Sequence, residues 1–510
     1  MRASGVLLPV ASLPSGFGIG DLGPGAYRFA DFLSASRQRF WQILPLNPTT
    51  SVHNHSPYSS FSAFAGNPLL ISLQLLLEEG YIDNLYKNIG IEEGRINYEF
   101  ASCLKLKLLR KAFKKVLRTG LNQEIFQRFC LEHSSWLEDF ALFSALKFYF
   151  NRDCWSKWPE ELRYRHPEAL AVWRRKLSHE IEEQKFFQFI FFTQWHALKN
   201  YCNQRNIRII GDIPIYVDYD SVDVWSNPHL FKLDDNLSPL YVAGVPPDYF
   251  SKTGQRWGNP VYDWKKMRET GYSWWFKRFE HNLRLFDMIR IDHFRGFVAY
   301  WEIPAEEKTA VQGRWVKVPA EDFLAALTEC FKGLPIIVED LGFITDDVRE
   351  IIERFKLPGM KVLLFAFADD FPHSSYLPHN YPRNCVVYTG THDTSTCRGW
   401  FEMEASKKMR DRVFRYLGRK ISADEIAWEF VRLAFMSVAN LAIIPLQDLL
   451  GLGGEARINR PATRQGNWCW QLRSKSLTPA LEERLSEITH IYGRSRFKIN
   501  PSVREQWGRK

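Results

Sequence analysis

Hydrophobic positions along the chain follow two patterns. In one, β-branched and large apolar residues form short unbroken runs; in the other, apolar positions return every three or four residues over longer stretches. The first marks strands buried on both faces, the second amphipathic helices. Runs of the first kind occupy residues 4–10, 40–46, 208–217, 287–294, 334–340, 359–367, 385–393 and 441–448, with helical patterns between most of them. Eight alternating strand and helix units predict an α/β architecture, a (β/α)8 TIM barrel. A doubly wound open sheet is the alternative, but it does not ordinarily bring carboxylates from three separate strand ends together.

Two stretches depart from the alternation. From 69 to 205 the pattern is mainly helical, broken by Trp and Pro around 155–159, and reads as a large inserted subdomain. Residues 218–286 read as a second, loop-rich insertion. The whole chain, 1–510, then reads as a single barrel unit with large, mainly helical insertions. The segment 47–68 is a long loop rich in Ser, Asn, His and Pro, and loops of that length are usually functional. Ser56 and Tyr58 are its candidate substrate contacts. His53 and His55 lack a third ligand nearby and read as surface residues rather than a metal site. Gly16, Gly18 and Gly20 form G-x-G-x-G without the βαβ context of a dinucleotide fingerprint, so a tight turn above a barrel strand is the better account.

Composition adds modest constraints. The chain carries 18 Trp, 20 Tyr and 38 Phe; a large core accounts for most of the Phe, while a minority of the Trp and Tyr suit the apolar faces of sugar rings. The net charge of +9 comes partly from 103–118, which holds seven basic residues and no acid. Leu104, Leu108, Phe113, Val116 and Leu117 fall on one side of that stretch, so it reads as an amphipathic helix with a solvated basic face. No aromatic-basic motif accompanies it, which argues against nucleic acid, and a membrane-surface role is set aside with it. The eight cysteines show no paired metal-ligand spacing, which points to a reducing compartment and no zinc. Neither a signal-peptide core nor a membrane-spanning run is present, so the expected location is the cytoplasm.

The chemistry concentrates at strand ends. Asp292, Glu339 and Asp393 each fall at or just past the C-terminal end of a predicted strand, beside Arg290, His293 and His392. One such acid is readily a helix cap or a salt-bridge partner. Three together suit acetal chemistry, in which one carboxyl protonates the leaving oxygen and a second, ionised, acts as nucleophile. Arg290, two residues before Asp292 on the same strand face, favours the ionised form of that acid. Glu339 is left as the proton carrier and requires less polar surroundings. Asp393 and His392 are placed to hydrogen-bond sugar hydroxyls.

Several stretches together resemble the amylomaltase (disproportionating enzyme, 4-α-glucanotransferase) family, related to the α-amylases. They are GFGIGDLG, FWQILPL, SPYSSFSAFAGNP, GDIPIYV, GVPPDYFSKTGQRWGNPVYDW, RIDHFRG, EDLGFITDDVRE, LPGMKVLLFAF, GTHDT, EARINRP and GNWCW. The resemblance implies a single catalytic barrel with insertions and no C-terminal β-sandwich, and a retaining transfer of α-1,4-glucan segments to the 4-hydroxyl of glucose or another glucan. It assigns Asp292 as nucleophile, Glu339 as acid/base and Asp393 as transition-state stabiliser, with Arg290, His392 and Asp212 as sugar contacts. His293, and Asn467 within GNWCW, join Tyr58 and Ser56 as expected substrate contacts. Tyr249, Phe250 and Trp257 belong to the loop 249–257 that would arch over acceptor subsites. The expected partners are maltodextrin, glycogen or starch chains and glucose, with no cofactor, metal, nucleic acid or membrane. Ser395, Ala462 and Gln471 depart from the residues usual in the family, which bears on acceptor preference rather than on chemistry. An amylase-like hydrolase and a catalytically silent glucan-binding protein are the competing readings.

Overall fold

Strands in this chain form where apolar runs are covered on both faces. A computed structural model describes residues 2–85, 92–247, 251–342, 344–463 and 465–495. Its strands, in chain order, are β1 Ala3–Leu7, β2 Phe40–Gln42, β3 Arg208–Ile213, β4 Tyr241–Val245, β5 Gln255–Pro260, β6 Met288–Ile291, β7 Ala299–Pro304, β8 Arg314–Lys317, β9 Ile336–Val338, β10 Gly359–Val362, β11 Cys385–Tyr388 and β12 Leu441–Pro445. A closed, all-parallel barrel runs β1, β2, β3, β6, β9, β10, β11, β12 and returns to β1. Each of its eight strands is thus the neighbour of the one before it, as a (β/α)8 barrel requires. All residues of β1, β2, β9, β11 and β12 are buried, between the barrel interior and the surrounding helices.

Several strands are shorter than their apolar runs. β3 stops at Ile213 and β10 gives way to a 3-10 turn at Leu363–Phe365, although Ile215, Val217, Leu364 and Phe367 beyond them remain buried. The run records burial, and burial continues past the last ladder hydrogen bond because later segments cover the barrel mouth.

The helices are built to lie on this barrel. Pro24–Ala35 begins with Pro in its first turn, where no N–H is needed. Ala423–Met436 opens with a reciprocal capping box between Ser422 and Glu425. Among the described residues every regular element between β2 and β3 is a helix, and the last of them, Ser178–Gln204, packs on both Pro24–Ala35 and β3. Ser273–Leu285 in turn packs on Ser178–Gln204 and on β6. Phe113, Phe126 and Phe129 from the earlier helices interlock with Phe186 and Phe189, so these helices share the barrel's hydrophobic core. Among the described residues no helix is long and apolar enough to cross a membrane.

The basic stretch within Tyr98–Thr119 corrects the expectation of a purely solvated charged face. Lys105 is 0% exposed; its ammonium donates to Asp21 Oδ2 and to the Ile71 carbonyl, each at 2.9 Å. Conversely Leu117, placed on the apolar side by its spacing, is exposed, because the helix is followed by its Gly120 cap and leaves the core there.

A second, antiparallel sheet orders as β5-β4-β7-β8. Two of its strands lie in 218–286 and two follow β6, so residues distant in sequence assemble it. Its centre holds a buried charge: Glu302 on β7 receives Lys232 at 2.6 Å and Arg314 at 2.7 Å.

The barrel seam, where the first strand meets the last, is fastened by Arg494. This buried guanidinium donates to the carbonyls of Ala3, Ala434, Phe435, Ser437 and Ala439 at 2.8–3.3 Å. Arg2 adds bonds to the Phe435 and Ser437 carbonyls.

Candidate active site

Register places the acids. Asp212 on β3 is the ladder partner of Arg290 on β6, and Ile291 is the partner of Val338 on β9. Asp292 and Glu339 each follow those last two, so adjacent strands deliver both carboxyls at one level of the mouth. The backbone continues this pairing: Glu339 N–H donates to the Ile291 carbonyl at 3.0 Å and Phe294 N–H to the Glu339 carbonyl at 3.1 Å.

Arg290 organises the floor. Its guanidinium is 3% exposed and donates to Asp212 Oδ1 at 2.8 Å and Oδ2 at 2.7 Å through one nitrogen, and to Asp292 Oδ1 at 3.0 Å through another. The sequence pairs Arg290 with Asp292 alone; in the structure its charge is shared, with the deeper bond going to Asp212. Asp292 is left with its other oxygen free of that clamp and its side chain partly exposed to the mouth.

Glu339 has different surroundings. Oε2 accepts from the His293 N–H and Oε1 from the Leu341 N–H, both at 2.8 Å. Burial, and after it the charge of Asp292, raises this carboxyl to about 7 against the pull of Arg290 and the two backbone donors. A carboxyl bonded to a guanidinium beside one raised to about 7 is the environmental split that separates the two roles in a retaining pair.

The other wall is built by Tyr58, His392 and Asp393. Tyr58 donates its hydroxyl proton to Asp212 Oδ2 at 2.6 Å, so its oxygen remains to accept from His392 Nε2 at 2.8 Å. The Tyr58 and His392 rings stack at 5.2 Å, and Trp468 lies against both, at 5.9 and 6.2 Å. His392 Nε2 also faces Asp393 Oδ2 at 3.2 Å. Burial opposes the charged imidazole, but Asp393 outweighs it and the His392 pKa rises. Burial likewise works against the Asp393 carboxylate, yet His392 and the 2.6 Å bond from Asn459 Nδ2 hold it down to about 2.

Asn459, Arg457 and Trp468 carry roles that the residue-type reading does not assign. Arg457 donates to the Asp393 carbonyl at 2.7 Å, and Asn459 N–H to the His392 carbonyl at 3.0 Å. Their signal lay in EARINRP and GNWCW, but an amide and an arginine far along the chain give no hint of which loop they brace. Ser56 supports Tyr58, whose N–H donates to its Oγ at 3.3 Å. Asn467 braces its own loop: its Oδ1 accepts from the Arg460 N–H at 2.9 Å and its amide donates to the Thr463 carbonyl at 3.0 Å. His53 pairs with Asp218 at 2.7 Å. Among the described residues no group of three or more His, Cys, Asp or Glu side chains is arranged to hold a metal ion.

On the remaining side stands Trp257, in β5 and 38% exposed. Its ring meets the edge of His293 at 4.8 Å. His293 has a left-handed backbone, φ 48°, and burial lowers its imidazole to about 4. Tyr249 and Phe250 lie outside the described residues. The mouth therefore offers two carboxyls in contrasting surroundings, a hydrogen-bonding wall with aromatic faces, and a tryptophan on a separate sheet beside the loop that follows Asp292.

A family model described as 4-alpha-glucanotransferase matches residues 8–478. The 4-alpha-glucanotransferase of Aquifex aeolicus (strain VF5) is 49% identical over 495 residues, covering 97% of this chain and 100% of that one. That of Thermus thermophilus is 46% identical over 492 residues, 95% and 97% respectively. Among solved structures, the amylomaltase from Streptococcus agalactiae in complex with acarbose superposes with a TM-score of 0.94 at 40% identity, covering 97% of this chain and 100% of that chain.

Proposed function

The chain belongs to the 4-alpha-glucanotransferase family, and we propose that it moves α-1,4-glucan segments by a retaining, two-step route through Asp292. A donor chain lies across the mouth. Asp292 attacks its C1 as Glu339 gives a proton to the departing 4-oxygen, leaving a β-glycosyl ester on Asp292. Glu339, now ionised, takes the proton from the 4-hydroxyl of an incoming glucose or maltodextrin as that oxygen displaces Asp292. Charge developing at the ring is met by Asp393, and ring hydroxyls by His392, Asp212 and Arg290. The observation that carries the division of labour is the contrast between Asp292, bonded to Arg290, and Glu339, raised to about 7.

Transfer prevails over hydrolysis when an acceptor, rather than water, reaches the ester. Trp257, over His293 and on a sheet of its own, supports an aromatic acceptor platform there. Maltodextrins, glycogen or starch chains and glucose are the proposed substrates. Incubation with maltotriose tests the reading: transfer yields glucose and a ladder of longer maltodextrins at constant reducing-end concentration. Shorter products alone, with reducing ends rising, would make the protein a hydrolase; no turnover would leave only glucan binding.

A further inference from the structure

The loop that presents His392 and Asp393 leaves β11 after Tyr388 and rejoins regular structure at the short helix Cys397–Gly399. Both its ends meet one carboxylate. Asp448, 1% exposed and just past β12, accepts from Thr389 Oγ1 at 2.6 Å, from Cys397 N–H at 2.7 Å and from Cys397 Sγ at 3.2 Å. These three donors account for both carboxylate oxygens, and the group lies too deep to meet a glucan. An apolar residue in its place would strand the Thr389 hydroxyl and the Cys397 N–H in the core. The loop's tip is held from the same stretch of chain, by Arg457 and Asn459 on the carbonyls of Asp393 and His392. The segment after β12 thus holds 390–396 at both its ends and at its tip.

We propose that Asp448 is a positioning residue for glucan transfer, pinning both ends of loop 390–396 so that Asp393 and His392 stand where the developing charge and the ring hydroxyls will be. This rests on the role proposed above for Asp393. A stabiliser acting on the transition state loses effect steeply with displacement, so the consequence falls on kcat more than on KM.

The test compares Asp448→Ala, Asp448→Asn, Thr389→Val and Asp393→Ala in maltotriose disproportionation, with melting temperatures measured alongside. Asp448→Ala should lower kcat about 100-fold while KM stays within about twofold. Asp448→Asn should recover to within about tenfold of wild type, since its amide oxygen still accepts from Cys397 N–H and its NH2 donates to Thr389 Oγ1. Thr389→Val, which removes one of the bonds, should fall between. A lower melting temperature with kcat unchanged in Asp448→Ala would make Asp448 a fold stabiliser and overturn the proposal. Should Asp448→Ala fail to fold, an unchanged kcat in Thr389→Val would overturn it equally. Asp393→Ala separates the two levels: if it keeps full activity the role of Asp393 falls, whereas an inactive Asp393→Ala beside fully active Asp448 and Thr389 variants removes only Asp448.

Discussion

Replacing Glu339 by Gln should disable the enzyme and make its stability relative to the wild type rise with pH. In the folded chain this carboxyl titrates near 7; in the unfolded chain it reverts to an ordinary value near 4.5. Below pH 4.5 it is protonated in both states and contributes no pH-dependent difference. As pH rises, the unfolded chain releases the proton first, so the wild type loses stability progressively until the folded-state group also ionises near 7. At about 1.4 kcal/mol per pH unit, the penalty grows to about 1 kcal/mol at pH 5 and about 3 kcal/mol at pH 8. Gln cannot ionise and escapes it. Its amide also replaces one oxygen that accepts a backbone N–H, from His293 or Leu341, but that mismatch is independent of pH. The informative quantity is therefore the change with pH in the stability difference between variant and wild type, followed by denaturant unfolding at pH 5 and pH 8. It should move in favour of the variant by about 2 kcal/mol. Activity toward maltotriose should fall by about 100-fold or more, since proton transfer to the leaving oxygen is lost. A stability difference that stays flat between the two pH values would refute the reasoning, because Glu339 would then not be the group held near neutrality.

Three further outcomes follow from particular contacts. Asn459→Ala removes the bond to Asp393 Oδ1 and so raises a carboxyl now held at about 2; the acidic limb of the kcat/KM profile should move to higher pH, measured on maltotriose. Tyr58→Phe removes the hydroxyl between Asp212 and His392, and kcat/KM should drop about tenfold, the effect of about 1.4 kcal/mol of lost hydrogen bonding. Lys105→Met strands Asp21 in the core and should lower unfolding stability by about 3 kcal/mol or more, whereas Lys111→Met on the exposed side of the same helix should stay within about 0.5 kcal/mol.

Much of this architecture was legible along the chain because a parallel barrel writes itself as separate apolar runs. MIRI, IIV and CVVY are buried on both faces, and each leads into the acid or histidine that the mouth presents. That proximity is local, so Asp292, Glu339 and Asp393 could be named from it. The sharing of Arg290 between Asp212 and Asp292 was not legible, since it depends on β3 and β6 being neighbours in register across the whole inserted segment. The antiparallel sheet was missed for a similar reason. QRWGNP and RWVK are weakly patterned and mostly unburied, and although each pairs with a strand close by in the chain, the two hairpins become one sheet only through β4 and β7, which lie on either side of β6. Lys105 was misread because a buried lysine and a solvated one look alike until Asp21 and Ile71 are seen beside it.

The Arg494 clasp has a consequence for how the molecule comes into being. A ribosome makes β1 before any other strand of the barrel, yet its neighbour β12 is the last of them, and the guanidinium that ties Ala3 to Ser437 and Ala439 follows β12. Until then the growing sheet has two unpaired edges, one at β1 and one at the newest strand, each able to recruit foreign strands. Ring closure is thus a late, nearly single event, set by sequence separation rather than by local preference. Chains released before residue 494 should populate the insoluble fraction or a chaperone's cavity even though Asp292, Glu339 and Asp393 have already been made.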